Sequence, residues 1–173
     1  MNARIQKRLD KIERLTHELQ QKVKPFEHAF HQKPDSRSWS LHQVLAHLVA
    51  AEKLSVQYLT KKINGINEVG NTGIYEEAKM VVVKLSQRLP FKFKAPTRVV
   101  ESTTTYDNLE SLFTDWHHTR QSLRQLLETI EDRNVKKRVF KHIIAGKLNV
   151  LHAIDFMHEH INHHLPQINR LLK

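Results

Sequence analysis

The sequence predicts an all-α protein: a four-helix bundle with a short extra helix and an extended crossover in the middle. Three observations lead there. Only four glycines and five prolines punctuate the 173 residues, too few for the many turns of a β protein. Apolar residues recur in alternating steps of three and four over long stretches, the period of one helix face. The hydrophobic fraction, 39%, is enough for one buried core in a chain of this length. No internal repeat or linker divides it, so residues 1–173 read as a single domain.

The first helix spans residue 2 to about 31 and carries Ile5, Leu9, Ile12, Thr16, Leu19, Val23, Phe26 and Phe30 on one face. Pro25 lies inside that pattern and should kink or restart it. His28 and His31 near its end read as surface histidines. A connector, HQKPDSRSWS, follows. Ser40 with Gln43 then forms a capping-box pattern, with Trp39 placed to staple onto Val44. The second helix runs from Leu41 to about Ile63, with Leu41, Leu45, Leu48, Leu59 and Ile63 as its buried stripe. Glu52 and Ser55 fall on the same stripe, and a buried carboxylate needs a partner. His47 projects at the stripe's edge, beside Val44, Ala51 and Tyr58.

Residues 64–75 hold three of the four glycines and read as a loop. Glu76 to Leu89 reads as the short extra helix, although MVVV is β-branched. Residues 90–106, PFKFKAPTRVVESTTTY, carry two prolines and suit an extended crossover, because a lone strand has no partner. Asp107 with Glu110 gives another capping pattern. The helix from Leu109 to about Glu131 buries Leu109, Leu112, Phe113, Trp116, Leu123, Leu127 and Ile130, with His117 and His118 beside that stripe. EDRNVKKR is a polar turn. The last helix follows Gly146, and its core stripe is Val150, Ile154, Met157, Ile161, Ile168 and Leu172.

Composition limits the function. Without cysteine there is no disulfide, thiolate ligand or cysteine nucleophile. The charged, periodic N-terminus lacks a signal peptide's apolar centre, and no apolar run reaches 18 residues. A cytoplasmic protein without a membrane partner is expected. The net charge of +10 raises the question of an anionic partner. Lys136, Lys137, Arg138 and Lys141 cluster, as do Lys92, Lys94 and Arg98, but no nucleic-acid motif accompanies them. Nucleic acid is therefore not expected, and the charge reads as a basic surface or as an aid to an acidic substrate.

The histidines carry the chemistry. Five of thirteen fall in the last helix: His152, His158, His160, His163 and His164. His160 and His164 are the one pair spaced i, i+4, which places both imidazoles on one helix face, a turn apart. Gln167 continues that face. Two polar residues on a boundary face would give the same spacing, and an isolated H-x₃-H is a short motif. His47 can complete a three-histidine set if the second and last helices are neighbours. Three imidazoles leave a coordination position open for water or substrate. His158 reads as solvated and His163 as exposed. Pro166 should disturb the helix just beyond the pair.

KPDSRSWSLHQVLAHLVAAE resembles the first motif of the DinB/YfiT superfamily, matching at Trp39, Ser40 and His47. VFKHIIAGKLNVLHAIDFMHEHINHHLPQINRLL resembles the second, matching at His142, Gly146, Leu148, Phe156, His160, His164, Gln167 and Ile168. The resemblance covers nearly the whole chain. It implies a four-helix bundle, often a homodimer, with a divalent metal, zinc or nickel, on His47, His160 and His164. Relatives include thiol S-transferases and isomerases that use bacillithiol or mycothiol, apparent metal-dependent hydrolases, and many proteins without an assigned activity. A small-molecule substrate, anionic or a thiol, is implied. Glu52, Tyr58 and Gln167 are candidates for substrate contacts or for bracing the ligands, against plainer roles as a capped carboxylate, a boundary aromatic and a solvated amide. The alternative is a non-catalytic bundle with a structural or vestigial metal.

Overall fold

The computed structural model describes residues 1–88 and 96–173. Its helices are α1 (Ala3–Val23), α2 (Leu41–Ile63), α3 (Ile74–Arg88), α4 (Thr97–Glu101), α5 (Leu109–Glu128) and α6 (Val150–Leu171), with a two-stranded hairpin of β1 (Phe140–His142) and β2 (Gly146–Leu148) before α6. The fold is all-α, as expected.

Each long helix starts where a side chain can take up its free amides. Asn2 accepts from the Arg4 amide at the head of α1. At α2 the capping box forms: Ser40 Oγ accepts from Gln43 N, and Gln43 Oε1 accepts from Ser40 N. At α5 the cap is Asn108 rather than Asp107, accepting from Ser111 N, while Glu27 takes the Leu109 amide from across the molecule. Asn149 caps α6 through His152 N, and its amide donates to Thr72 Oγ1 at 2.7 Å. Pro25 ends α1 as expected: the chain continues as a 3₁₀ segment, Lys24–Ala29, with Phe26 off helical geometry.

α1 packs on α6, α6 on α2, α2 on α5, and α5 back on α1. The four long helices thus close a bundle, with α1 across from α2 and α5 across from α6. The periodic residues fill its centre: Ile5, Leu9, Ile12, Leu45, Leu48, Leu59, Leu112, Trp116 and Leu123 are almost fully buried, each large aliphatic contributing about 1.5–3 kcal/mol by leaving water. α3 lies on the outer face of α6. It buries Met80 and Val83 and ties down through Lys84–Asp155 and Arg88–Glu159.

One expectation needs correction. The crossover is not extended throughout: Thr97–Glu101 forms α4, packed on α2, with Pro96 at its N-cap. The earlier part of it, with Lys92, Lys94 and the end of the expected α3 at Leu89, lies outside the described residues. The stretch before α6 is a hairpin, pairing Phe140 with Leu148 and His142 with Gly146. Gly146 takes φ +75°, a left-handed conformation that glycine adopts freely. Pro166 does not end α6, which continues to Leu171. The loop at 70–72 is stitched to 136–138 by Thr72 N to Lys136 O and Arg138 N to Gly70 O.

Candidate metal centre and cleft

The α2–α6 contact brings His47, from the second turn of α2, against His160 and His164 of α6. Ring centroids are 5.0 Å apart for His47–His160, 5.1 Å for His47–His164 and 5.0 Å for His160–His164, with interplanar angles of 78°, 64° and 74°. The three rings form a nearly equilateral, steeply tilted set. Their potential ligand nitrogens all lie within 4.8 Å of one another, and His47 Nε2 and His160 Nε2 are 3.2 Å apart. Nitrogens about 2.0–2.1 Å from one tetrahedral ion would stand roughly 3.3 Å apart.

Electrostatics suit ligation. Burial first, then His164 and His163, lowers the His47 pKa to about 4. Burial also brings His164 to about 4, with its bond to Gln167 pulling the other way and His163 adding to the fall. His160 is held well below the ordinary histidine value by burial and by the neighbouring His164, His47, His163 and His142. A metal ligand must be neutral imidazole, and these three are neutral at pH 7. Gln167 Oε1 sits 3.0 Å from His164 Nδ1. An amide oxygen only accepts, so Nδ1 carries the proton and Nε2 keeps its lone pair. That is the usual way a ligand imidazole is held in one tautomer. The donor set, its charge state and its bracing all fit a divalent ion.

The histidines open on a cleft of about 590 Å³, a size suited to a small molecule. α2 forms one wall through His47, Ala51, Leu54, Tyr58 and Lys61; α4, β1 and α6 supply the others. Phe156 lies flat against His160, with rings 5.6 Å apart at 9°, and meets the edge of His142 at 4.7 Å. His142 Nδ1 accepts from the amides of Ile144 and Ala145, both at 3.2 Å. Its proton is therefore on Nε2, and burial lowers its pKa.

The other residues singled out from the sequence separate. Tyr58 lines the cleft and Gln167 braces His164. Glu52 does neither: its carboxylate accepts from Arg120 Nε at 2.7 Å, Arg120 Nη2 at 2.8 Å and Trp116 Nε1 at 2.9 Å, inside the bundle. His158 is buried rather than solvated, with Nδ1 beside Glu159 and Asn162. His163 is half-buried rather than exposed. Its Nδ1–H donates to Gln87 O at 2.8 Å, and its ring lines the cleft. The tautomer lock on His142 and the flat Phe156 contact were not foreseen. The motif residues flagged both positions, but only the hairpin's closure gives His142 its amide donors.

A closed helical bundle with three histidines converging on a cleft fits a metal-binding helical protein. The family profile described as the DinB superfamily matches residues 8–168, and the chain belongs to that superfamily. Comparison with curated proteins and with solved structures finds no significant match.

Proposed function

We propose that this protein is a metal-dependent enzyme acting on a small molecule, either by hydrolysis or by transfer of a low-molecular-weight thiol. The observation that carries the reading is the convergence of three neutral imidazoles, His47, His160 and His164, at the floor of an open cleft rather than in a sealed core. Such a site would hold zinc or nickel. When bound, the ion would lower the pKa of a water or thiol so that an anion is available near neutral pH. A closed four-ligand sphere would favour a purely structural role, whereas the group found among the described residues is three histidines, His47, His160 and His164.

The chain's own residues do the remaining work. Gln167 keeps the His164 proton on Nδ1. Phe156 and Trp39 shield the histidines: the Trp39 ring is 5.4 Å from His47, and both aromatics line the cleft. No carboxylate lines it among the described residues. Groups at its wall that could move a proton include Tyr58, His142 and His163, of which the Tyr58 hydroxyl and His142 Nε2–H are donors.

The test is an activity screen on zinc- and nickel-loaded protein, pairing several thiols with electrophiles and including simple esters and amides. At least one class is expected to turn over, with His160→Ala reduced to background. Turnover unchanged in His160→Ala, or none with any substrate despite full metal loading, would count against an enzyme.

A further inference from the structure

The cleft wall beyond the histidines constrains the ligand's charge and shape. Trp39, Leu54, Tyr58, Val99, Phe140 and Phe156 make most of it apolar. Among the described residues its polar groups include no aspartate or glutamate. That absence stands out because carboxylates elsewhere are drawn into ion pairs: Glu52 with Arg120, Asp155 with Arg8 and Lys84, Asp115 with Lys53, Glu159 with Arg88. Lys61, Arg98 and Lys141 border the cleft. All three are exposed, and none makes an ion pair among the described residues. The Ser55 hydroxyl already donates to Ala51 O. His142 adds an Nε2–H donor on the β1 wall.

Position orders these features. His47, Ala51, Leu54, Tyr58 and Lys61 lie along one face of α2. Fourteen positions separate His47 from Lys61, which on an α-helix is roughly 21 Å. Along this α2 wall the cleft therefore runs from His47 past the apolar Leu54 and Tyr58 to the cationic Lys61.

We propose that the cleft takes an amphiphilic anion, with its apolar body along Leu54, Tyr58 and Phe140 and a carboxylate or phosphate head at Lys61 and Arg98. The inward placement of the reacting end rests on reading the three histidines as the reactive centre; the charge preference does not. A cationic amphiphile would face three like charges, on Lys61, Arg98 and Lys141, without a compensating carboxylate, and a short dianion would leave the apolar wall uncovered.

The experiment is isothermal titration of the full-length, chelator-treated chain with decanoate, decyl phosphate, decylammonium and glutarate, with tryptophan fluorescence followed in parallel because Trp39 lines the cleft. One or both decyl anions should bind one to one, the tighter identifying the preferred head, while decylammonium and glutarate bind far more weakly. Lys61→Gln/Arg98→Gln should weaken the anions roughly tenfold, since each exposed charge pair is worth up to about 1 kcal/mol. The proposal is overturned if decylammonium binds as tightly as decanoate, if neither anion binds, or if the double variant binds them unchanged. Zinc titration of the same preparations separates the two readings. Zinc binding without anion binding removes this proposal and leaves the metal centre standing, whereas anion binding without zinc binding does the reverse.

Discussion

Imidazoles 5 Å apart repel one another when protonated, so the site holds His47, His160 and His164 neutral by burial and by mutual repulsion. That arrangement costs stability in acid. Between pH 6.5 and 4 the unfolded chain takes up protons that the folded chain refuses, so stability falls as pH drops through that window. For His47 alone, with its folded pKa at about 4, the loss from pH 7 to pH 5 is about 2 kcal/mol. Urea unfolding of metal-free protein at the two pH values should show at least this decrease, and a His47→Phe variant should show less of it. Gln167 belongs to the same scale. Its oxygen holds the His164 proton on Nδ1, and losing such a brace typically costs about 10–100-fold in metal affinity. Gln167→Leu should weaken zinc binding by that factor in a competition titration against a chromophoric chelator. An unchanged affinity would mean that the bond to His164 does not serve the metal.

At the scale of elements, the site depends on α2 and α6 lying side by side, and the Glu52–Arg120 pair helps fix α2 against α5 a little beyond His47. Both side chains are buried and share hydrogen bonds with Trp116 and Thr16. Glu52→Leu would strand the Arg120 charge, costing about 3–5 kcal/mol, measurable as a lowered urea midpoint, with zinc binding kept in the folded fraction. Zinc binding lost without a change in stability would instead place Glu52 in the site. The same elements show what the sequence made readable. The helices were legible because their apolar period runs over many residues, and Ser40–Gln43 was legible because a capping box is local. The hairpin was not: three-residue strands are too short to display a period of two, and their pairing depends on a turn that only Gly146 hints at. α4 was missed for a similar reason, being five residues long after a proline. The partner of Glu52 lies 68 residues away and could be required by physics without being named. The burial of His158 and the Gln87 contact of His163 likewise depend on α3 covering α6, which periodicity within α6 cannot foretell.

For the whole molecule, α1, α6, α2 and α5 form a closed ring, and a metal on His47, His160 and His164 would cross-link two of its members over more than a hundred residues of chain. No helix among the described residues is long and apolar enough to cross a membrane. Part of the basic cluster at 136–141 is spent internally: Lys137 donates to Val69 O, and Arg138 pairs with Glu76. Of that cluster Lys141 borders the cleft, as do Lys61 and Arg98, the two cations with a proposed role. A ligand that binds only the folded state stabilises it, by about 2.7 kcal/mol at a hundredfold excess over its dissociation constant. The most direct measurement is therefore zinc and nickel titration of protein purified without an affinity tag or chelator, read by calorimetry and by the shift in melting temperature. One ion per chain should bind at micromolar concentration or tighter and raise the melting temperature, with both effects lost in His160→Ala and His164→Ala. A wild-type chain that binds neither metal at that level, or variants that bind as well as it does, would contradict the account.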